Sequence, residues 1–162
     1  MTVLASDQGI MEPQMEAMYQ PATSRFYYRV GPHLILLETT LKAEVLMTQT
    51  VYPLPFKPSW CAGLASVRGD LLPVFDMYQV VLGRPVPANF HLLLIQPPDC
   101  SPVLLTCEGY PRQVKLTSEQ LQPHQDDKLP DWIPHTLHCG EDIFLVADHD
   151  KLLRHIRRLA KG

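Results

Sequence analysis

The 162-residue sequence predicts an all-β fold that ends in a single α-helix. About nine or ten short apolar runs, rich in β-branched and aromatic residues, are separated by turn signals. Sixteen prolines against eight glycines are typical of short strands joined by proline-containing loops. Only the last dozen or so residues show sustained helical periodicity. A domain of this length and apolar content can build a sizeable core.

The amino-terminal half predicts one hairpin, one further strand and a long connector. Residues 26–30 and 33–38 flank Gly31-Pro32, a pair that marks a tight turn. Residues 42–47 form the next short strand. Residues 51–58 contain three prolines and are therefore expected to be extended rather than helical.

Residues 63–76 hold the clearest local signal in the chain. Two apolar runs surround Arg68-Gly69-Asp70, and a glycine between charged residues favours a tight hairpin turn. Pro73 cannot donate a ladder hydrogen bond, which places it on an edge strand or at a bulge. An arginine beside such a hairpin either pairs with a carboxylate or binds a partner protein.

The carboxyl-terminal half predicts a short helix and several further strands. Residues 77–82 form the helix, which Gly83 stops. The strands are expected at residues 90–96, 103–107, 113–116, 132–138 and 143–147. Thr117 and Gln120 have the spacing of a capping box. The final helix runs from Asp148 or Asp150 to about Ala160, with Leu152, Leu153, Ile156 and Leu159 on one face.

Composition bears on the class of protein and on its domains. The net charge of −3 does not favour nucleic-acid binding. The sequence has no apolar run of membrane-spanning length and no secretory pattern, so the protein is expected in the cytoplasm, without membrane insertion. The four cysteines are expected to be reduced thiols. Residues 1–24 are interpreted as a flexible arm, and residues 25–162 as one domain.

Catalytic and metal-binding motifs are weak. Ser66 lies one place too late for a Gly-x-Ser-x-Gly nucleophile elbow, and no glycine-rich phosphate loop is present. His135, His138 and Cys139 could supply metal ligands, but a spacing of three places the two histidines on opposite faces of a strand. No enzymatic activity and no cofactor are therefore predicted. A metal-binding protein or small enzyme that uses its histidines and cysteines stays open as the alternative.

Four segments, in order, resemble the CheW-like family of bacterial chemotaxis coupling proteins. Residues 63–76 match its Val-Arg-Gly-x-apolar-apolar-Pro-Val-apolar-Asp block, and Glu44 matches an acidic residue of an earlier strand. Residues 115–123 and 143–153 resemble its later segments. The resemblance extends over about residues 25–156.

The resemblance implies two interlocked small five-stranded β-barrels and a non-catalytic adaptor role. The implied partners are the cytoplasmic tip of a methyl-accepting chemoreceptor and the regulatory domain of a CheA-type histidine kinase. A scaffold that binds only its own kind in rings is a further reading. Trp132, Phe144 and His149 resemble the type IV pilus-associated (PilI-like) branch, which serves twitching motility.

The resemblance also implies a partner-binding groove. Arg68 would pair with Glu44 from an adjoining strand, beside Gly69 in the turn. Leu64, Ala65 and Val67 would line the same groove, where a receptor helix could lay its apolar face.

Overall fold

The computed structural model describes residues 22–46 and 50–161. Within these ranges the chain forms nine strands and two helices, and the predicted all-β class with a carboxyl-terminal helix is confirmed. The strands are β1 Ala22–Val30, β2 His33–Leu36, β3 Lys42–Leu46, β4 Cys61–Val67, β5 Asp70–Phe75, β6 His91–Gln96, β7 Val103–Thr117, β8 His135–Cys139 and β9 Asp142–Val146. The helices are α1 Met77–Leu82 and α2 His149–Lys161.

Two five-stranded sheets share β7. In the first sheet the order is β7-β1-β2-β9-β8, and in the second it is β3-β6-β7-β5-β4. The shared strand interlocks the two halves, as the family resemblance implies. Among the described residues the ladder does not close in either sheet, so the two halves are curled open sheets rather than fully hydrogen-bonded barrels.

The shared strand is longer than the sequence predicts. Residues 103–107 and 113–116 are separate strands in the sequence-based prediction, but β7 runs through all fifteen residues from Val103 to Thr117. Gly109, with φ of 69°, lies at the change of partner, where the β1–β7 register shifts between Tyr27 and Arg29. A bulge of this kind bends a strand without ending it. The predicted break between residues 107 and 113 is therefore only a change of direction at Gly109.

Three apolar clusters form the core. The second sheet encloses a cluster to which all its strands contribute: Leu46, Ala65, Val67, Leu72, Val74, Leu92 and Leu104. The first sheet encloses a smaller cluster around Phe144. The largest cluster lies between the sheets and includes residues of both helices. Because the two halves share this central cluster, they form one packed unit.

The first strand starts earlier than predicted. The turn at Gly31-Pro32 is confirmed between β1 and β2. Strand β1, however, begins at Ala22, which pairs with Thr117 of β7. Residues 22–24, assigned to the flexible arm by sequence, therefore belong to the sheet. The rest of that predicted arm, residues 1–21, lies outside the described residues.

The predicted capping box is confirmed, whereas the strand that follows it is shorter than expected. The Thr117 backbone N–H donates to Gln120 Oε1 at 2.9 Å, and the Gln120 N–H donates to Thr117 Oγ1 at 3.3 Å. Strand β8 begins at His135 instead of residue 132. Trp132 and Ile133 precede it in a turn and are buried in the central cluster. Their apolar character reflects core packing outside a strand.

The carboxyl-terminal helix packs only the first part of its apolar stripe. Asp148 caps the helix by accepting the Lys151 N–H at 3.0 Å. Leu152 and Ile156 are buried, but Leu159 is 47% exposed, so its predicted place on the packed face is wrong. Neither described helix is long and apolar enough to cross a membrane.

Helix α1 forms as predicted because both of its ends are capped. The Asp76 carboxylate accepts the Gln79 N–H at 3.2 Å, and Gly83 ends the helix in the left-handed region. The second Asp76 oxygen accepts the Val86 N–H at 3.1 Å. Asp76 is 5% exposed, so water cannot replace these bonds. One carboxylate thus joins the helix to the loop that follows it.

Asp76→Ala is expected to lower the free energy of unfolding by about 2 kcal/mol, because it leaves two backbone donors unpaired. Asp76→Asn keeps one acceptor oxygen and should cost less. Urea unfolding followed by circular dichroism measures the difference. Equal losses in the two variants would contradict this role of the cap.

Candidate functional site

The β4–β5 hairpin presents an arginine at its tip. Arg68 and Gly69 form a two-residue turn with φ of 51° and 89°. Positive φ at both central residues is the signature of a type I′ turn, which matches the twist of the flanking strands. Arg68 lies in the turn itself, and its side chain is 66% exposed. Pro73 lies where β5 pairs only with β4, in agreement with its predicted edge position.

Arg68 pairs with Glu44, as the family resemblance implies. Its Nη2 donates to Glu44 Oε1, and the two groups form an ion pair. The hydrogen bond from Arg68 holds the pKa of the Glu44 carboxyl below its usual value, and the same bond raises the pKa of the arginine. Both side chains are largely exposed, so water screens the attraction and the pair adds little to stability.

The expected placement of the pair on adjoining strands is wrong. Glu44 lies on β3, which pairs with β6, whereas β4 pairs with β5. Strands β3 and β4 are the two edges of the second sheet, and Leu46 and Val67 from these strands meet in its core. Arg68 and Glu44 therefore join the two sheet edges through side chains instead of backbone hydrogen bonds.

The other predicted site residues fall on two faces of the hairpin. Ala65 and Val67 are 0% and 8% exposed and point into the second sheet's core, because alternate residues of a strand face the same side. Leu64 is half-buried on the outer face, and Gly69 is exposed in the turn. Ala65 and Val67 therefore shape the surface from beneath and offer no side-chain contact to a partner.

The structure reveals a groove between the two sheets that sequence reasoning did not locate. Its volume is about 470 Å³. The lining comes from β1, β3, β6, β7 and the segment between β2 and β3: Ser24, Arg25, Phe26, Leu37, Glu38, Thr39, Leu41, Ala43, Val45, Leu93 and Pro111. We call it the inter-sheet groove. Segments far apart in sequence form it, and no local pattern marks them as a set.

Strand β3 connects the inter-sheet groove to the ion pair. Ala43 and Val45 line the groove, while Glu44, between them in sequence, pairs with Arg68. Strand alternation places these side chains on opposite faces of the same edge strand. A partner in the groove would therefore lie directly against the strand that holds Glu44.

Two charged residues lie in the otherwise mainly apolar groove. Arg25 donates from Nε and Nη2 to the Leu37 carbonyl oxygen, at 3.3 and 2.9 Å. Burial lowers its pKa, an effect that the nearby Glu38 carboxylate partly opposes. Glu38 contacts His149 with both oxygens: Oε1 lies 2.5 Å from His149 Nδ1, and Oε2 accepts the His149 backbone N–H at 3.3 Å.

His149 links the groove to the central core. Its side chain is fully buried, and Nε2 lies 2.9 Å from the Tyr28 hydroxyl. A carboxylate only accepts hydrogen bonds, so Nδ1 donates to Glu38 and Nε2 can accept from Tyr28. Burial raises the pKa of Tyr28 well above its usual value, which keeps the hydroxyl protonated. Helix α2 is thereby attached to both β1 and the segment that follows β2.

In the part of the chain that the structure describes, no three histidine, cysteine, aspartate or glutamate side chains lie close enough together to hold a metal ion. His138 instead stacks on His124, with ring centroids 3.8 Å apart. The cysteines are free thiols. Burial raises the pKa of Cys107 to about 12, so this thiol stays protonated and is a poor nucleophile.

Comparison with known proteins identifies the fold. The CheW-like domain family matches residues 26–157. The crystal structure of the scaffolding protein TtCheW from Thermoanaerobacter tengcongensis superimposes with a TM-score of 0.63 at 11% sequence identity, covering 78% of this chain and 89% of that one. At this identity the likeness concerns the fold alone. No curated protein matches the sequence.

Proposed function

This chain belongs to the family of CheW-like domains, and from that premise we propose that it is a non-catalytic cytoplasmic adaptor. It couples the cytoplasmic tip of a chemoreceptor to the regulatory domain of a CheA-type histidine kinase. The observation that carries the proposal is the Arg68–Glu44 ion pair on the edge strand that lines the inter-sheet groove. An exposed pair contributes little to folding, which favours a role in recognition.

The receptor is proposed to bind at the inter-sheet groove and along β3. Leu41, Ala43, Val45 and Leu93 supply an apolar wall, which suits the apolar face of an amphipathic helix. Arg68 and Gly69 extend this surface around the edge of β3. The buried side chains of Ala65 and Val67 support the hairpin from inside, and Leu64 lies on its outer face.

An adaptor needs a second surface for its second partner. The outer face of the β4–β5 hairpin and the connector before it expose four large apolar side chains: Tyr52, Leu54, Phe56 and Leu71. Phe56 is fully exposed, with φ of 56° in a connector stiffened by prolines. Exposed aromatic residues on a rigid segment are suited to anchoring a protein partner. We assign this face to the kinase regulatory domain.

The signalling output of the adaptor would be either chemotaxis or twitching motility. Trp132, Phe144 and His149 carry the resemblance to the pilus-associated branch, and all three are buried. Each therefore acts in core packing or in the His149 network. Surface residues that contact the partners are better placed to distinguish the two outputs.

Arg68→Ala is expected to weaken binding of a chemoreceptor tip fragment roughly tenfold, as expected for removal of one interface arginine. The melting temperature should stay close to that of the wild type, because the pair is exposed. Isothermal titration calorimetry and thermal unfolding of the same samples measure both quantities.

Arg154→Ala is the matched control, since Arg154 forms an equally exposed ion pair with Asp150 on α2, away from the groove. It should bind the tip like the wild type. A collapse of the fold in Arg68→Ala would show a structural role instead. Failure of the wild type to bind both tip and kinase fragments at tens of micromolar would overturn the adaptor proposal.

A further inference from the structure

The inter-sheet groove contains a cation that no described carboxylate pairs with directly. Arg25 lines the groove and is half-buried. Within residues 22–46 and 50–161, no carboxylate lies within ion-pair distance of its guanidinium. Removing part of a charged group from water is unfavourable unless another group compensates for it. A guanidinium in a mainly apolar groove therefore leaves room for an anion from outside the chain.

The guanidinium is held in place before any partner arrives. Nε and Nη2 both donate to the Leu37 carbonyl oxygen. The Leu37 N–H in turn donates to the Phe26 carbonyl oxygen at 2.9 Å, which ties the end of β2 to β1. An arginine has five N–H donors in a rigid planar fork, so donors remain after these two bonds. The group is thus pre-oriented for an acceptor.

Glu38 does not supply that acceptor, although it lies in the same groove. Its carboxylate lies outside ion-pair distance of the guanidinium, and both of its oxygens contact His149 instead. Its charge raises the pKa of Arg25, but the desolvation that lowers this pKa is the larger effect. The half-buried cation is therefore only partly compensated by the nearby carboxylate.

We propose that the groove binds an apolar protein segment that carries one acidic side chain, whose carboxylate pairs with Arg25. This inference rests on the proposed function for the site, and it adds the chemistry that selects the partner. The apolar lining accounts for most of the contact, whereas the ion pair fixes the register of the bound segment. A single carboxylate matches a single arginine whose positive field Glu38 already reduces.

Two substitutions separate charge from hydrogen bonding. Arg25→Gln keeps a donor for the Leu37 oxygen but removes the charge, and Arg25→Lys keeps the charge. Arg25→Gln should weaken binding of the chemoreceptor tip fragment tenfold or more, as expected for a charge-assisted bond. Arg25→Lys should retain most of the affinity. Arg29→Gln, on the same strand but outside the groove, should bind like the wild type.

The position of the acidic partner residue follows from a double-mutant cycle. Each Asp and Glu of the tip fragment is changed to its amide, and affinity is measured against the wild type and Arg25→Gln. One position should weaken binding to the wild type and have no further effect on Arg25→Gln. Equal affinity of wild type and Arg25→Gln for the tip would overturn the inference while leaving the adaptor proposal standing.

A designed probe tests the groove without any receptor. An amphipathic helical peptide with one Glu among leucines, and its Glu→Gln twin, are titrated while backbone amide shifts are followed by NMR. The acidic peptide should bind the wild type at least tenfold more tightly than its twin, and this preference should disappear in Arg25→Gln. If the tip does not bind but this peptide does, the adaptor proposal fails and the inference stands. Equal affinity of the twins, or binding of neither, overturns it.

Discussion

Gly63→Ala is expected to lower the free energy of unfolding by about 4 kcal/mol or more, an unusually large effect for one methyl group. Gly63 has a φ of 142°, and a Cβ there would lie 2.2 Å from the Tyr52 carbonyl oxygen. That oxygen accepts the Leu64 N–H at 3.0 Å, and the Tyr52 N–H donates to the Leu64 oxygen at 2.7 Å. The added methyl would force the connector off the hairpin.

Gly69→Ala is the matched control. Gly69 also has a positive φ, of 89°, but no atom of the described residues beyond its chain neighbours lies within 4 Å of the position that an added methyl would occupy. Gly69→Ala should lower the free energy of unfolding only by the cost of backbone strain, about 1–2 kcal/mol. Chemical denaturation of both variants gives the comparison. Similar losses at Gly63 and Gly69 would show that backbone conformation matters and that the close contact with Tyr52 does not.

His149→Ala is expected to cost about 2–4 kcal/mol, because it leaves the buried Tyr28 hydroxyl and the Glu38 carboxylate without their shared partner. Tyr28→Phe removes only the hydroxyl and should cost about 1 kcal/mol. His155→Ala, on the same helix but outside this network, should cost less than His149→Ala. Urea unfolding by fluorescence and circular dichroism measures all three variants.

The order of these three losses tests the role of His149. If Tyr28→Phe costs as much as His149→Ala, the hydrogen bond to Glu38 contributes nothing. If His155→Ala costs as much, the effect comes from the helix rather than the network. Because Glu38 lines the inter-sheet groove, His149→Ala should also loosen one wall of the proposed receptor site. His149→Ala should therefore also weaken binding of the chemoreceptor tip fragment.

Glu38 and Arg25 in the inter-sheet groove, and Glu44 on the other face of its edge strand β3, are each held by another group of the chain. Glu38 is retained by His149, Glu44 by Arg68, and Arg25 by a backbone carbonyl. Of the two arginines, Arg25 and Arg68, only Arg25 lacks a carboxylate partner in the described part of the chain. The proposed receptor contact supplies it.

Much of the local structure could be predicted from the sequence. The two hairpins, the α1 helix with its glycine stop and the Thr117–Gln120 capping box are all present. Each depends on residues close together in the chain, since turn glycines, caps and side-chain alternation act within a few positions. The Arg68–Glu44 pair came from family resemblance, because 24 residues separate the two partners.

Other features depended on which strands meet in space. The sequence suggests a break near Gly109, yet β7 continues because β1 takes over as its neighbour where β6 and β5 end. Likewise, the alternation of β4 is evident in the sequence, but the side that faces the core is not. Ala65 and Val67 are therefore predicted at the partner surface although they are buried.

The fold class, the turns and the family could be predicted from the sequence, because these follow from periodicity, glycine and proline placement, and a motif that stays contiguous. The tertiary structure alone established that β3 and β4 are opposite edges joined by an ion pair and that four strands and the β2–β3 segment create one groove. It also decided that Arg25 lies in that groove with no carboxylate partner among the described residues. The physical reason is that burial and ion pairing depend on distances between segments, which short-range sequence patterns do not encode.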